Sequence, residues 1–264
     1  MIVSIITINY NNTCGLRRTL ESVVNQTWKE YELVIVDGGS SDGSNDIINE
    51  YSKTHPNLIW VSEADTGIYN AMNKGVKMAH GEYCLFLNSG DCFFADETLK
   101  ICADYLDGNI QIISGGVKTD TFSRYAPEAQ ELSLAYFIKE SMNHQSTFIK
   151  RDLLLDIPYN EKRDIAADSE FFFDALILRN SSYHNIPVWV SYCEAAGKSG
   201  DLEKSMNERL EAIKDLLPKR MAYDVDFIKK YHNSFVLCIG DIFYKKWIRT
   251  LFFRYNQLRK RFSR

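Results

Sequence analysis

A doubly wound α/β fold built on a mostly parallel sheet, with a helical C-terminal extension, is predicted by three features of the sequence. Hydrophobic periods switch between strand-like runs and helical spacing through the first half, polar turns close each strand at its carboxyl end, and apolar residues are plentiful enough to bury a large sheet. The chain has 264 residues, 45% apolar and 25% charged, which suits one large domain or one with a small appendage and excludes a disordered or collagen-like chain.

The elements follow in order. Val3 to Ile8 is a continuous apolar run, the pattern of a strand buried on both faces. Leu16, Leu20, Val23 and Val24 then recur at helical spacing. Glu32-Leu33-Val34-Ile35-Val36 is a second buried strand ending at Asp37, and the turn Gly38 to Gly43 opens a helix through Ile47, Ile48 and Tyr51. Leu58 to Val61 makes a third strand and Ile68 to Ala79 a helix. Tyr83 to Leu87 is a fourth strand that stops at Asn88-Ser89-Gly90-Asp91, and Asp96 to Leu106 is another helix. Strands and helices alternating at this interval give parallel strands joined by right-handed crossovers. Ligands of such sheets bind outside the carboxyl ends of the strands. There the sequence puts Asn9, Asp37, Glu63 with Asp65, and Asn88 with Asp91.

Beyond Ile110 the pattern loosens. Ile112 to Val117 and Ser146 to Ile149 have strand character, with an irregular segment between them. Asp168 to Leu178 is an amphipathic helix, Val188 to Tyr192 a strand and Gly197 to Gly200 a loop. From Asp201 the chain is helical to its end, interrupted at Pro218, so the α/β domain is placed at residues 1–200 and the extension at 201–264.

The formal charge of -4 conceals an asymmetry, because Lys245 to Arg264 holds eight basic residues and no acidic one, leaving +8 on the tail and -12 on the rest. A chain this acidic outside its tail is not a nucleic-acid binder with a basic surface. Clustered carboxylates in the body suit a metal or a substrate, and the tail suits an anionic partner. The six cysteines never fall at Cys-x-x-Cys spacing, and four lie in or beside apolar segments, the usage of buried free thiols in a reducing compartment. Met1 to Ile6 has no basic flank and is cut short by Asn9-Tyr10-Asn11-Asn12, so it is a strand rather than a signal peptide. Ser234 to Phe253 contains Asp241, Lys245, Lys246 and Arg249 and falls short of the ~18 uninterrupted apolar residues of a spanning helix. A cytoplasmic protein, peripheral on the inner face of the membrane at most, is expected.

Several chemistries are excluded by missing motifs. No Gly-x-Gly-x-x-Gly follows the first strand, so a dinucleotide-binding dehydrogenase is ruled out. Gly197-Lys198-Ser199 lacks the earlier glycine of a P-loop, since position 192 is Tyr. Neither Gly-x-Ser-x-Gly nor His-Glu-x-x-His occurs. What remains is carboxylates and amides at a sheet edge, the arrangement for a hard divalent cation and a diphosphate.

Here the motifs carry a resemblance. Val3-Ser4-Ile5-Ile6-Thr7, Gln26-Thr27, Asp37-Gly38-Gly39-Ser40-Ser41-Asp42-Gly43-Ser44, Asp65-x-Gly67-Ile68-Tyr69-Asn70-Ala71-Met72-Asn73-Lys74-Gly75 and Phe86-Leu87-Asn88-Ser89-Gly90-Asp91 occur in order. Together they resemble family 2 glycosyltransferases of the GT-A fold. The resemblance is strong over roughly the first 95 residues, continues through His144 to Phe148 and Ala167 to Glu170, and fades after Ser199.

The resemblance implies a site. Asp37 would accept hydrogen bonds from the pyrimidine of a nucleotide sugar, with Thr7 and Asn9 lining the same pocket. Asp65, Asn73 and Lys74 would sit near the sugar and diphosphate, where the turn at Gly67 aims a helix N-terminus at the anion. The family's usual Asp-x-Asp metal motif falls on Asn88-Ser89-Gly90, which leaves Asp91 as the carboxylate for Mg2+ or Mn2+ and Asn88 for ribose, diphosphate or a metal-bound water. Asp168 would be the catalytic base, with Glu170 as runner-up. His144 and Gln145 would orient acceptor or diphosphate, and Ser199 belongs to a small-residue loop near the donor phosphates. Asp42 is read as a helix cap.

The implied function is inverting transfer of a sugar from a uridine diphosphate donor to a hydroxyl of a surface glycan or lipid-linked acceptor. A nucleotidyltransferase and a catalytically silent glycan-binding scaffold are the alternatives. Tyr244 to Arg254 combines Trp, Phe, Leu and Ile with cations, the composition of an interfacial helix on anionic lipid, and a dimer contact is the competing reading.

Overall fold

The first strand, β1 (Val3–Asn9), is buried at every position, because it has a hydrogen-bonded neighbour on each edge and helices over both faces. The protein is described here by a computed structural model, which covers residues 3–193 and 202–232. After β1 the chain alternates as its hydrophobic periods require: α1 (Thr13–Val24), β2 (Tyr31–Asp37), α2 (Ser44–Thr54), β3 (Leu58–Ser62), α3 (Ile68–Met78) and β4 (Tyr83–Phe86). These four strands are mutually parallel, with Asn9 level with Asp37 and Asp37 level with Ser62. Parallel register is what gathers their carboxyl ends on one edge.

The second half is mixed. It comprises β5 (Cys92–Phe93), α4 (Thr98–Ala103), β6 (Ile112–Lys118), β7 (Ser123–Arg124), α5 (Leu134–Lys139), β8 (Thr147–Lys150) and α6 (Arg151–Asp156). Then come α7 (Ala167–Phe173), which runs on into a π-helical turn at Asp174–Leu178, β9 (Tyr183–Tyr192), α8 (Leu202–Leu216) and α9 (Lys219–His232). Among the described residues the nine strands form one sheet in the order β3-β2-β1-β4-β8-β6-β9-β5, with β7 on β6. Because β8 runs antiparallel to β4, the residues that precede β8 lie at the same edge as those that follow β4.

Where the sequence lacks a strong period, its element bounds shift. The helix expected over Asp96 to Leu106 is helical only over α4, and β9 begins five residues before the expected Val188. The two-residue strand β5 and the helix α6 have too few residues to show any period. Asp42 does not occupy the cap position itself, which is Gly43, but its carboxylate accepts the Ser44 N–H at 3.1 Å and so still holds the first turn of α2.

One core lies between the sheet and α1, α2 and α4, where Ile5, Leu33 and Leu85 meet Leu16, Leu20, Ile48 and Leu99. Across the sheet α3 lies tight on β1, because a Cβ at Gly75 would stand 2.5 Å from Ile6 Cγ2. Each large side chain fully buried here contributes about 1.5–3 kcal/mol. Of the described cysteines, Cys84, Cys102 and Cys193 are buried, and burial pushes the Cys84 and Cys102 thiols up to about 12. Among the described residues no helix is long and apolar enough to cross a membrane. The chain divides into two compact units, Met1–Leu216 and Leu217–Arg264, so that α8 groups with the α/β unit and α9 with the second. The expected loop at Gly197 to Gly200, the helix beyond residue 232 and the basic tail at 245–264 lie outside the described residues.

Candidate active site

A cleft of about 580 Å³ opens at the carboxyl edge of β1 and β4 and is floored by Asn9, Asn88 and Asp91. Asp37 stands behind it, with no exposed surface. One of its oxygens accepts from Asn9 Nδ2 at 2.8 Å and Ser40 Oγ at 2.6 Å. The other accepts from the Gly39 and Ser40 N–H groups at 3.1 and 2.8 Å and from Ser62 Oγ at 2.7 Å. Burial alone would raise its pKa, but the Ser40, Ser62 and Asn9 bonds together outweigh that and hold it below the usual carboxylate range. Asn9 is held in turn, its Oδ1 accepting Ser89 Oγ at 2.7 Å, so the ends of β1, β2, β3 and β4 are tied in one network.

Asp65 lines the cleft where α3 begins. Its Oδ1 accepts the Gly67 N–H at 2.9 Å, and Gly67 has φ +140, a value that suits glycine. Gly38 lets the Asp65 carboxylate approach the end of β2, since a Cβ there would stand 2.6 Å from Asp65 Oδ2.

The opposite wall comes from the second half. The helical turn His144–Ser146 immediately precedes β8, and antiparallel pairing brings it beside the residues that follow β4. His144 Nδ1 lies 2.9 Å from Asp168 Oδ2, the two side chains being 12% and 15% exposed. Its other nitrogen, Nε2, lies 3.4 Å from Asn88 Nδ2. With the amide as donor to Nε2, the ring carries its proton on Nδ1 and donates it to Asp168. Asp168 Oδ1 accepts the Ser169 N–H at 2.8 Å and faces the Tyr69 hydroxyl at 3.4 Å. Tyr69 also donates to the Ile165 carbonyl, and burial, then the charge of Asp168, push its hydroxyl far above its usual range. Tyr69 therefore keeps its proton, which goes to the Ile165 carbonyl while the hydroxyl stands beside the carboxylate.

Two acidic residues open α7, and the fold separates their roles. Asp168 lines the cleft. Glu170 accepts from Asn160 Nδ2 at 3.0 Å and from Arg163 Nε at 2.7 Å, both away from the cleft lining, and so braces the 160–163 loop. Glu208 of α8 adds to that brace by accepting the Asp164 and Ile165 N–H groups at 2.6 and 3.0 Å.

Several residues named from the sequence stand behind the cleft lining. Thr7 is fully buried in β1, and both oxygens of Asp37 accept hydrogen bonds from protein donors. Asn73 is pinned by Tyr159, accepting its N–H at 3.0 Å and donating to its carbonyl at 2.8 Å, and also donates to Glu161 at 2.9 Å. Lys74 is paired with Glu63 at 2.9 Å and donates to the Ala64 carbonyl at 3.3 Å. None of these four is among the residues lining the cleft, whereas Asn9, Asp65, Asn88, Asp91, His144, Gln145 and Asp168 are. Ser199 lies outside the described residues. Sequence reasoning missed Tyr10, Tyr69 and Arg124, all of which line the cleft. Tyr10 had a signal, an aromatic in the polar turn that ends the first strand, and its ring is 67% exposed. Arg124 had none, because its place depends on the β6–β7 hairpin.

The residues at the β4 turn offer two oxygen donors to a divalent cation. Asn88 Oδ1 is buried and meets no donor among the described residues, and Asp91 supplies a nearly buried carboxylate to the same cleft. Burial pushes the Asp91 carboxyl up, against the pull of His144 and Arg18. Among the described residues no three His, Cys, Asp or Glu side chains converge on one point. An amide oxygen and one carboxylate are hard donors that fit Mg2+ or Mn2+ with the balance of ligands from phosphate and water.

With this geometry in view, the chain was compared with known proteins. The family model described as Glycosyl transferase family 2 matches residues 4–156. A "PGL/p-HBAD biosynthesis glycosyltransferase" of Mycobacterium bovis (strain BCG / Pasteur 1173P2) is 33% identical over 220 residues, 78% of this chain and 83% of that protein. An uncharacterized glycosyltransferase of Mycobacterium tuberculosis (strain CDC 1551 / Oshkosh) is 32% identical over 188 residues, 67% of this chain and 69% of its own. Among solved structures, S. aureus TarS 1-349 in complex with UDP-GlcNAc has a TM-score of 0.67 at 21% identity, over 89% of this chain and 73% of that one. This chain spans only 44% of the longer S. aureus TarS chain. The mannosyltransferase PcManGT from Pyrobaculum calidifontis, in complex with GDP-Man and Mn2+, has a TM-score of 0.63 at 19% identity, over 88% of this chain and 70% of its own.

Proposed function

The chain belongs to glycosyl transferase family 2 and is a glycosyltransferase, and from that premise we propose that it moves a sugar from a uridine diphosphate donor to a hydroxyl of a surface glycan, inverting the anomeric carbon. The observation that carries the reading is the Asp168 carboxylate, turned into the cleft and oriented by His144 at 2.9 Å, across from Asn88 and Asp91.

Asp168 Oδ2 keeps a lone pair beyond the one that His144 engages. It accepts the proton of the acceptor hydroxyl as that oxygen bonds to the anomeric carbon and the bond to the diphosphate oxygen breaks. His144 holds the carboxylate in place, and the Tyr69 hydroxyl stands beside it. Asn88 and Asp91 would hold Mg2+ or Mn2+, which when bound neutralises charge on the departing diphosphate. Asn9, Asp65 and the exposed ring of Tyr10 form the donor end, with Asp37 and Thr7 behind them. Asn73 and Lys74 act on the donor indirectly, by holding the Tyr159–Glu161 segment and Glu63. Gln145 faces acceptor or diphosphate, and Ser199 belongs to the donor-phosphate loop. Solved structures of TarS with UDP-GlcNAc and of PcManGT with GDP-Man and Mn2+ support the donor class and the cation. The composition of residues 245–264 supports an anionic lipid surface as the place where a lipid-linked acceptor is met.

The test is a calorimetric titration with UDP-sugars and with a nucleoside triphosphate, each with and without Mn2+. Binding of a UDP-sugar that strengthens with Mn2+, together with slow release of UDP, is the expected result. Turnover of the triphosphate to pyrophosphate would replace this reading with a nucleotidyltransferase.

A further inference from the structure

Beyond β6, on the sheet face that carries the cleft, exposed aromatic side chains form a column that the core does not use. Side chains alternate along a strand. Phe93, Val188 and Val190 point into the core with α1 and α4, as Leu85 and Leu87 do. Phe94 and Trp189, each one residue along, therefore project from the opposite face, where Phe86 meets His144 edge to face at 6.4 Å. Tyr125 lies on Trp189 with ring centroids 3.9 Å apart and planes inclined by 30°. Lys118 Nζ sits 4.6 Å from the Phe94 ring centre and 4.8 Å from that of Trp189. Phe94 is 39% exposed and Tyr125 46%.

The fold makes room for this column. At Gly116 a Cβ would stand 2.5 Å from Trp189 Cε3 and 2.9 Å from Tyr125 Cδ1, so β6 leaves its surface bare where the two rings lie. Two neighbours of the column along the chain, Arg124 just before Tyr125 and Asp91 three residues before Phe94, line the cleft.

Resting on the glycosyltransferase reading above, we propose that Tyr125, Trp189, Phe94 and Lys118 form an acceptor subsite that seats a pyranose ring of an extended glycan, outside the sugar that is attacked. A pyranose has one face of C–H bonds, which packs on a flat aromatic face, and a rim of hydroxyls. The Lys118 ammonium, held over two ring faces, is a donor in fixed position for that rim. A phosphate would call for more than one cation, and a lipid chain for a deep apolar groove. Exposed aromatic rings, with Trp189 and Phe94 tilted by 46° and Lys118 between them, match the C–H face and hydroxyl rim of a neutral sugar ring.

Saturation-transfer NMR on the full chain tests this with three neutral pentasaccharides, of glucose, mannose and N-acetylglucosamine, while release of UDP from UDP-GlcNAc is followed in parallel. At least one pentasaccharide receives saturation on its ring C–H groups. Tyr125→Ala and Phe94→Ala each weaken its binding at least about tenfold, with UDP release unchanged, and Tyr125→Phe retains it. Pentasaccharide signals identical in parent and both alanine variants overturn the subsite. So does loss of self-association, or of binding to phosphatidylglycerol vesicles, as the sole effect of Tyr125→Ala, since the column is then a protein or lipid contact. Saccharide binding without any UDP release would instead count against the transferase reading and spare the subsite.

Discussion

The two halves of the sheet treat their polar side chains in opposite ways. At the ends of β1, β2 and β3 the polar groups bind one another, Asp37 taking five protein donors, and on α3 Asn73 makes three bonds to the Tyr159–Glu161 segment. Across β4, Asp168 and His144 share one bond, remain 12–15% exposed and face the cleft. A carboxylate whose oxygens are all engaged holds shape, and one with a lone pair left over is free to accept a proton. The first half spends these polar groups on structure, and the second leaves Asp168, the base proposed above, facing the cleft.

That division is broken or sharpened most strongly at Asp168. Asp168→Asn keeps the shape and removes the basicity, so turnover should fall ~10²–10⁴-fold while donor affinity stays close to that of the parent. Product stereochemistry by NMR is a companion readout, because a single displacement requires an inverted anomeric centre. An Asp168→Asn protein that turns over donor as fast as the parent would dissolve the contrast between the halves.

Asp37→Ala comes next and should show the reverse profile. Removing a buried acceptor of charge-assisted bonds, and stranding its donors, costs on the order of 3 kcal/mol in urea unfolding, with lost donor affinity following from the loosened Asn9. Asp37 titrates below its unfolded value, so the stability it contributes is full above about pH 4 and is lost as pH falls through its folded value. Asp37→Asn should accordingly flatten the acid limb of the stability profile. A variant as stable as the parent but catalytically dead would put Asp37 among the reacting groups instead.

The smallest effect is expected at the seam between the halves. Asp91→Ala should weaken UDP-sugar binding by at least about tenfold in Mn2+, equivalent to roughly 1.5–3 kcal/mol, and leave it unchanged in EDTA. An equal loss in both buffers would assign Asp91 to direct donor contact and remove the cation from it.

The legibility of the site follows the same division. The order of β1 to β4 and the placing of Asn9, Asp65, Asn88 and Asp91 at one edge were readable, because parallel strands joined by helices leave a periodic trace and a rule for where ligands sit. That Asn73 spends its hydrogen-bonding capacity on Tyr159 and Glu161, and that Ser62 completes the set of donors on Asp37, was not readable, since these partners lie 25 to 88 residues away. The choice of Asp168 over Glu170 was a matter of motif in the sequence and of geometry in the fold, where Arg163 and Asn160 occupy Glu170.

What the sequence by itself determined is the architecture of the first half: burial patterns of period 2 and 3.6 depend on neighbours along the chain, and each segment carries its own signal. What only the tertiary structure decided is which polar groups remain available. Availability is a difference between the donors a side chain can take and the donors that reach it, and some of the latter arrive from distant elements, as Ser62 of β3 does at Asp37 and His144, just before β8, at Asp168. So His144, which the sequence names by motif alone, is placed by the antiparallel pairing of β8 with β4 between Asn88 and Asp168.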